Sequence, residues 1–243
     1  MNVVNTQIAY ILHKRAYRET SSILEVFTKD YGRVSLMARG SRGKRSKIAG
    51  NLLLFTPLVV SWQGKGNNLP YLKSVERADL KAPVLKNKSL LSAMYINELL
   101  VYLLHKDDVH EAVFEHYHHC LYLLEKENSL ELTLRKFETR LLELLGFGLN
   151  LHAEADTGEE IMEGAMYDYY LEHGPVKSRE TRVNRVPQIS GACLLALANE
   201  QYQTIALSSQ YLAELKQLMR FVISHHLGNK KLKSRELFRL AGQ

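Results

Sequence analysis

Residues 39 to 47 read Arg-Gly-Ser-Arg-Gly-Lys-Arg-Ser-Lys. Five of these nine side chains are cations (Arg39, Arg42, Lys44, Arg45, Lys47), and the rest are Gly or Ser. A segment this polar has nothing to bury, so it reads as a solvated loop. Such charge density attracts a polyanion, and nucleic acid is the first candidate. The bland alternative is a flexible connector whose charges only aid solubility. Arg33 and Lys65, in neighbouring turns, extend the patch. Tyr17, Tyr31 and Trp62 are candidate platforms for stacked bases, although Trp62, at a strand end, reads better as core. Phosphate contacts carry no base code, so binding through them is expected to be independent of sequence.

Two further basic groups stand apart. Lys230, Lys231, Lys233 and Arg235 follow the last predicted helix. They could widen a nucleic-acid path, meet an acidic partner, or form a solvated tail that favours the helix end. Arg135, Lys136 and Arg140 lie on a predicted helix over 130–145, where Glu131, Glu138 and Glu143 are available as ordinary partners three or four residues away.

Catalytic and metal-binding patterns are weak. His116, His118 and His119 share one helical turn and His225-His226 another, but a zinc sphere needs more ligands, and a helix surface is the better reading. His152, Glu154, Asp156 and Glu159 could hold a cation but lack soft ligands and fixed spacing. There is no phosphate loop of the Gly-Lys-Ser/Thr type and no nucleophile elbow. Asp107-Asp108 reads as a helix start. No metal, no cofactor and no enzymatic activity are expected. A rival reading is a metal-dependent nuclease using the acidic residues near 154–160, and another is an RNA-binding barrel of the translation machinery.

Charge distribution supports an anion-binding role. The net charge is +6. Residues 1–80 hold 13 Lys and Arg against 5 Asp and Glu, residues 151–187 hold 4 against 8, and residues 188–243 hold 7 against 3. Positive charge therefore gathers at both ends around an acidic middle. Cys120 and Cys193 are too few for a disulfide framework and too far apart for a cysteine zinc site. The opening residues lack the order of a signal peptide, and the apolar runs are too short to span a bilayer. A soluble protein of the cytoplasm, close to the nucleoid, is expected.

The elements that must position these residues come in two kinds. Up to about Glu76 the patterning is short and strand-like. Strands are expected at 8–13, at 21–28 and from 33 in a hairpin turned at Gly32, at 52–62 with a break at Pro57, and at 69–75. Five short strands suggest a small barrel. After Pro83 the period becomes helical, with helices over 88–105, 108–126 (capped by Asp108), 129–145, 190–199 and 209–227. Residues 150–187 read as a loop-rich insertion with short strands near 167–171. The fold class is α+β: a five-stranded oligonucleotide-binding barrel over 1–80, then an α-helical bundle over 81–243.

Particular blocks sharpen this outline. Glu19-Thr20-Ser21-Ser22-Ile23-Leu24-Glu25-Val26-Phe27-Thr28, Gly32-Arg33-Val34 and Arg39-Gly40-Ser41-Arg42 resemble the opening of the bacterial RecO family of DNA repair proteins. Phe55-Thr56-Pro57-Leu58, Tyr95-Ile96-Asn97-Glu98-Leu99, Arg135-Lys136-Phe137-Glu138, Leu144-Leu145-Gly146-Phe147-Gly148 and Leu232-Lys233-Ser234-Arg235-Glu236-Leu237-Phe238 continue it in order. The resemblance implies an oligonucleotide-binding barrel followed by a helical bundle. It further implies binding of single- and double-stranded DNA and annealing of complementary strands. The implied partners are RecR and the single-strand-binding protein SSB in loading RecA, with RecF and RecA reached indirectly. It also suggests that Arg135, Lys136 and Arg140 receive the acidic tail of SSB. Some relatives carry zinc-binding cysteines after the Gly-Phe-Gly turn. Here that stretch, Asn150 to Asp156, has none, so the insertion must be held by packing alone.

Overall fold

The computed structural model describes residues 2–64, 68–126, 129–179, 186–228 and 230–241. Among the described residues, eight strands and seven α-helices follow in the order β1 (Asn2–Tyr17), β2 (Ser21–Thr28), β3 (Gly32–Ala38), β4 (Leu58–Gly64), β5 (Tyr71–Arg77), α1 (Asn87–Leu103), α2 (Glu111–Glu125), α3 (Leu130–Leu144), β6 (Met166–Tyr170), β7 (Gly174–Lys177), β8 (Gln188–Ser190), α4 (Gly191–Ala198), α5 (Tyr202–Leu207), α6 (Ser209–Leu227) and α7 (Lys233–Ala241). They divide into two compact units. One is Met1–Glu127 with Leu232–Gln243, and the other is Asn128–Lys231. The change from strand to helix near residue 80 therefore falls inside the first unit.

In the first unit, five strands close into a barrel in the order β1-β2-β3-β5-β4. This is the oligonucleotide-binding barrel, and with the helices it makes the chain α+β. Alternation sends Leu24, Val26, Val34 and Leu36 inward, with Ile11, Val60 and Trp62, into one apolar core. Trp62 is 6% exposed and so belongs to the core. β1 is much longer than the expected 8–13 and serves two neighbours, pairing with β4 over Asn2–Ala9 and with β2 over Ala9–Tyr17, with a register shift in each ladder. Of the expected strand over 52–62, the part from Leu58 is β4, whereas Leu52 to Pro57 is irregular chain that follows a short 3₁₀ turn, Ala49–Asn51. Phe55, at φ 58°, breaks the extended run before the proline does.

The outer face of the barrel is covered by its own unit. Phe27 meets Phe114 of α2 edge-on at 5.3 Å. Tyr10 contacts Tyr117 at 5.1 Å and hydrogen-bonds Nδ1 of His118 at 2.6 Å. Of the His116–His119 group, His118 thus faces the barrel and not solvent. Burial holds it below its ordinary pKa and pushes the Tyr10 hydroxyl far above its own. Asn97 of α1 donates to the Leu12 carbonyl at 2.9 Å and accepts from the Tyr117 hydroxyl at 2.7 Å. Gly32, at φ 63°, lies where a Cβ would come within 1.8 Å of the Asp108 carbonyl oxygen, so only glycine lets the 104–110 segment dock on the β2–β3 turn. Asp108 pairs with His110 at 3.1 Å, and α2 starts after it at Glu111, so the expected cap at Asp108 does not form.

α7 was not expected as a helix. Its first turn is held by Glu98 of α1, which accepts from the Lys233 and Ser234 amides at 2.8 and 2.9 Å and from the Ser234 hydroxyl at 2.6 Å. In the second unit, α3, α5 and α6 pack together and β6, β7 and β8 form a three-stranded antiparallel sheet of order β7-β6-β8. No helix among the described residues is long and apolar enough to cross a membrane.

Asn97→Ala would strand the Leu12 carbonyl and the Tyr117 hydroxyl in a dry site. Each orphaned group costs about 1–3 kcal/mol, so a loss of roughly 2–6 kcal/mol in unfolding free energy is expected. Urea denaturation measures it, and Tyr117→Phe should cost less because it orphans one group.

Candidate nucleic-acid interface

The basic loop joins β3 to β4 and is folded by short turns. Gly43 N–H donates to the Gly40 carbonyl at 3.1 Å, Ser46 N–H to Gly43 at 3.0 Å, and Ala49 N–H to the Ser46 hydroxyl at 3.2 Å. Arg42 anchors it to the β1–β2 turn, its N–H donating to Thr20 at 2.8 Å and its Nη1 to Arg18 at 3.1 Å. A buried Ser41–Ser22 hydroxyl bond of 2.9 Å reinforces the join. At the other side Met37 N–H donates to the Pro70 carbonyl at 2.8 Å, and Arg39 lies over the Tyr71 ring at 4.5 Å. The loop, the β1–β2 turn and the start of β5 are therefore one edge of the barrel. Arg39, Arg42, Lys44, Arg45 and Lys47 are all exposed on it.

The structure adds cations that sequence reading passed over. Lys14, Arg15 and Arg18 are exposed on the last stretch of β1 and the turn after it. Lys14 Nζ bonds the Leu52 carbonyl at 3.2 Å, which sets it beside the far end of the loop. The signal was present as His13-Lys14-Arg15-Ala16-Tyr17-Arg18, a cationic run hidden inside a strand pattern. Half-buried Tyr17 carries Arg18 at 5.3 Å from its ring, and Tyr71 is a further aromatic on this edge.

Other expected members are placed elsewhere. Arg33 is a strut: its side chain is 11% exposed, Nη1 meets Glu25 at 2.6 Å, and Nε and Nη2 donate to the Leu104 carbonyl. With those donors spent it has little to offer a phosphate. Lys65 lies outside the described residues. Tyr31 is exposed but packs edge-on against Trp62 at 5.4 Å. The 230–235 cations fall in different units. Lys230 and Lys231 are exposed beyond α6, whereas Lys233 and Arg235 belong to α7, a docked helix and not a tail. Arg235 is half-buried, and its Nη2 has no hydrogen-bond partner among the described residues.

The 135–140 group is likewise divided. Arg135 is 5% exposed, with Nη2 on the Glu138 carboxylate at 2.7 Å and with Nε and Nη1 buried and without hydrogen-bond partners among the described residues. It is not a surface guanidinium, which corrects the expectation for that residue. Lys136 lies over the Tyr202 ring at 4.7 Å, and Arg140 pairs with Glu143 at 2.7 Å in the open.

The insertion's acidic residues do structural work. Glu154, 7% exposed, accepts from the Thr157 N–H and hydroxyl at 2.7 and 2.6 Å and from the Lys177 N–H at 3.3 Å. The insertion is thus held by a carboxylate as well as by packing. Asp156 pairs with His173 at 2.8 Å, and His152 and Glu159 are exposed. Among the described residues no group of three or more His, Cys, Asp or Glu is arranged to hold a metal. Neither cysteine forms a disulfide, both are buried, and burial pushes the Cys193 thiol up to about 12.

With this edge and barrel in view, comparison with known proteins is decisive. Residues 1–80 match the family model "Recombination protein O N terminal", and residues 88–236 match "Recombination protein O C terminal". The chain belongs to the RecO family. It is 42% identical over 231 residues to the DNA repair protein RecO of Methylococcus capsulatus, covering 95% of this chain and 91% of the relative. The RecO of Nitrosococcus oceani is also 42% identical with the same coverage, and that of Coxiella burnetii (strain RSA 331) is 40% identical over 94% of this chain and 95% of its own. RecO membership assigns the chain to DNA repair and recombination.

Glu154 gives a pH test of the insertion. The Thr157 hydroxyl, then its amide and that of Lys177, hold the Glu154 carboxyl below its usual 4.5. A depressed folded-state pKa means stability that is present above the usual value and lost as pH falls through the folded one. Thermal unfolding should therefore show wild type more stable than Glu154→Gln at neutral pH, with the gap closing in acid below about pH 4.5. A gap independent of pH would contradict it.

Proposed function

We propose that this RecO-family chain binds single- and double-stranded DNA along the basic edge of its barrel and anneals complementary strands there. In this reading it acts with RecR and SSB to load RecA, with RecF reached indirectly. The observation that carries the proposal is the exposed set Arg42, Lys44, Arg45 and Lys47 beside Lys14, Arg15 and Arg18 on a hydrogen-bonded barrel edge. Fixed cations neutralise phosphates at less entropic cost than a floppy tail, and they release counterions on binding. Annealing needs no nucleophile. Two strands repel as polyanions, and a protein that screens both and leaves their base edges free lowers that barrier. The partly buried aromatics Tyr17 and Tyr71 supply faces for unpaired bases on the same edge.

Lys230, Lys231, Lys233 and Arg235 are proposed as secondary phosphate contacts, with the weight on the three exposed lysines. For the acidic tail of SSB, Lys136 and Arg140 beside Tyr202 are the proposed surface contacts, with Arg135 held beneath them by Glu138. The nuclease reading is weakened because Glu154 and Asp156 already have partners within the insertion.

The test is annealing of complementary strands precoated with SSB, with tail-less SSB as control. Arg42→Ala, Lys44→Ala and Arg45→Ala combined should lower the slope of log affinity against log salt by roughly 2 to 3, at about 0.7–0.9 per lost phosphate contact. An unchanged slope would return the loop to a solvated connector.

A further inference from the structure

The second unit holds a cleft of about 360 Å³ that none of the basic groups above explains. Its lining includes Phe147, Asn150, Tyr169, Glu172, His225 and His226. Phe147 is placed there by the way α3 stops. Gly146, at φ 82°, donates its N–H to the Glu143 carbonyl at 3.0 Å, and the Phe147 N–H reaches back to Leu142 at 2.8 Å. That pair of bonds is the Schellman stop, and glycine takes its left-handed position at least cost. The stop displays the Phe147 ring without burying it: the residue is 45% exposed, and its ring stacks on His226 at 4.3 Å and 28°. Asn150 is fixed by its N–H donating to the buried Tyr169 hydroxyl at 3.1 Å, while the residue as a whole stays exposed.

The polar groups select the ligand. Glu172 stands 3.4 Å from His225 and is open to solvent, so a carboxylate on the rim can accept from a ligand's N–H donors. Burial, then the neighbouring His225, holds His226 below the usual 6.5, which leaves a neutral ring in the stack at neutral pH. A neutral aromatic platform beside a carboxylate and an amide fits a flat heteroaromatic ring that offers N–H donors. The volume is at the low end of small-molecule sites, which run from about 300 to 1,000 Å³. Immediately past the cleft, α6 ends at Leu227, and Lys230 N–H bonds the Leu227 carbonyl at 3.2 Å. The exposed side chains of Lys230 and Lys231 therefore follow His225 and His226 within a few residues.

We propose that this cleft takes one unpaired nucleobase of a single DNA strand, stacked on the Phe147–His226 pair, with Lys230 and Lys231 on the flanking phosphates. The proposal rests on the DNA-binding reading above. It is tested with an oligothymidylate carrying a single 2-aminopurine, whose fluorescence falls when the base stacks. Wild type should quench the probe on binding. Phe147→Ala should abolish most of that quenching and weaken single-strand affinity roughly 5- to 100-fold, with duplex affinity unchanged. Phe147→Trp should restore both, and because the residue lies at the surface all three proteins should melt together. If wild type binds DNA but Phe147→Ala matches it in affinity and quenching, the cleft proposal fails and the barrel edge stands. If wild type binds neither strand form, the DNA-binding reading itself fails.

Discussion

A small barrel has room for only one kind of inside, and the first unit solves its outside with one buried amide. Asn97 reaches from α1 to the Leu12 carbonyl and receives the Tyr117 hydroxyl of α2. Three elements meet at a side chain that is 3% exposed. Apolar contacts such as Phe27 on Phe114 supply the bulk of the burial, but they have no direction. The amide adds direction, because a helix shifted by one residue would leave buried polar groups unpaired. Everything the barrel displays depends on where these helices stop covering it.

That coverage decides which surface of the barrel stays open. Oligonucleotide-binding barrels commonly use the β2–β3 face and the loops beside it. Here part of that face is closed: Phe27 is under α2, and Glu25, Ser35 and Arg33 bond one another, with Arg33 also fixed to Leu104. What remains open is the end where the β1–β2 turn, the 39–47 loop and the start of β5 meet. A strand laid there touches backbone-anchored cations and is free on its other side. Openness of that kind is what the proposed annealing requires, since a closed groove would hide the base edges.

Much of this was legible in the residues, and the gaps have physical causes. The β2–β3 hairpin was readable because alternation and a turn glycine agree. Trp62 was readable as core because its neighbours are apolar. β1 was underestimated because its second half is cationic, and charge masks strand periodicity when only one face is buried. α7 was missed because its apolar stripe is short and its cap, Glu98, lies 135 residues away in sequence. A partner that distant leaves no local signal. The role of Glu154 was missed for the same reason, since part of what it binds arrives with Lys177.

The arginines show how charge reading must be completed by geometry. Arg33 and Arg42 lie in adjoining stretches of one basic region, yet one is a strut and the other is displayed. The difference is an acidic neighbour: Glu25 stands within reach of Arg33, whereas the 39–47 loop contains no carboxylate at all. Arg135 repeats the rule, with Glu138 one turn away drawing it under the surface. A buried guanidinium with unmet donors is costly, so its retention points to a positional role. Cations kept free of local acids remain for an external anion. By that criterion the 39–47 loop is a place where this chain reserves charge for something outside itself.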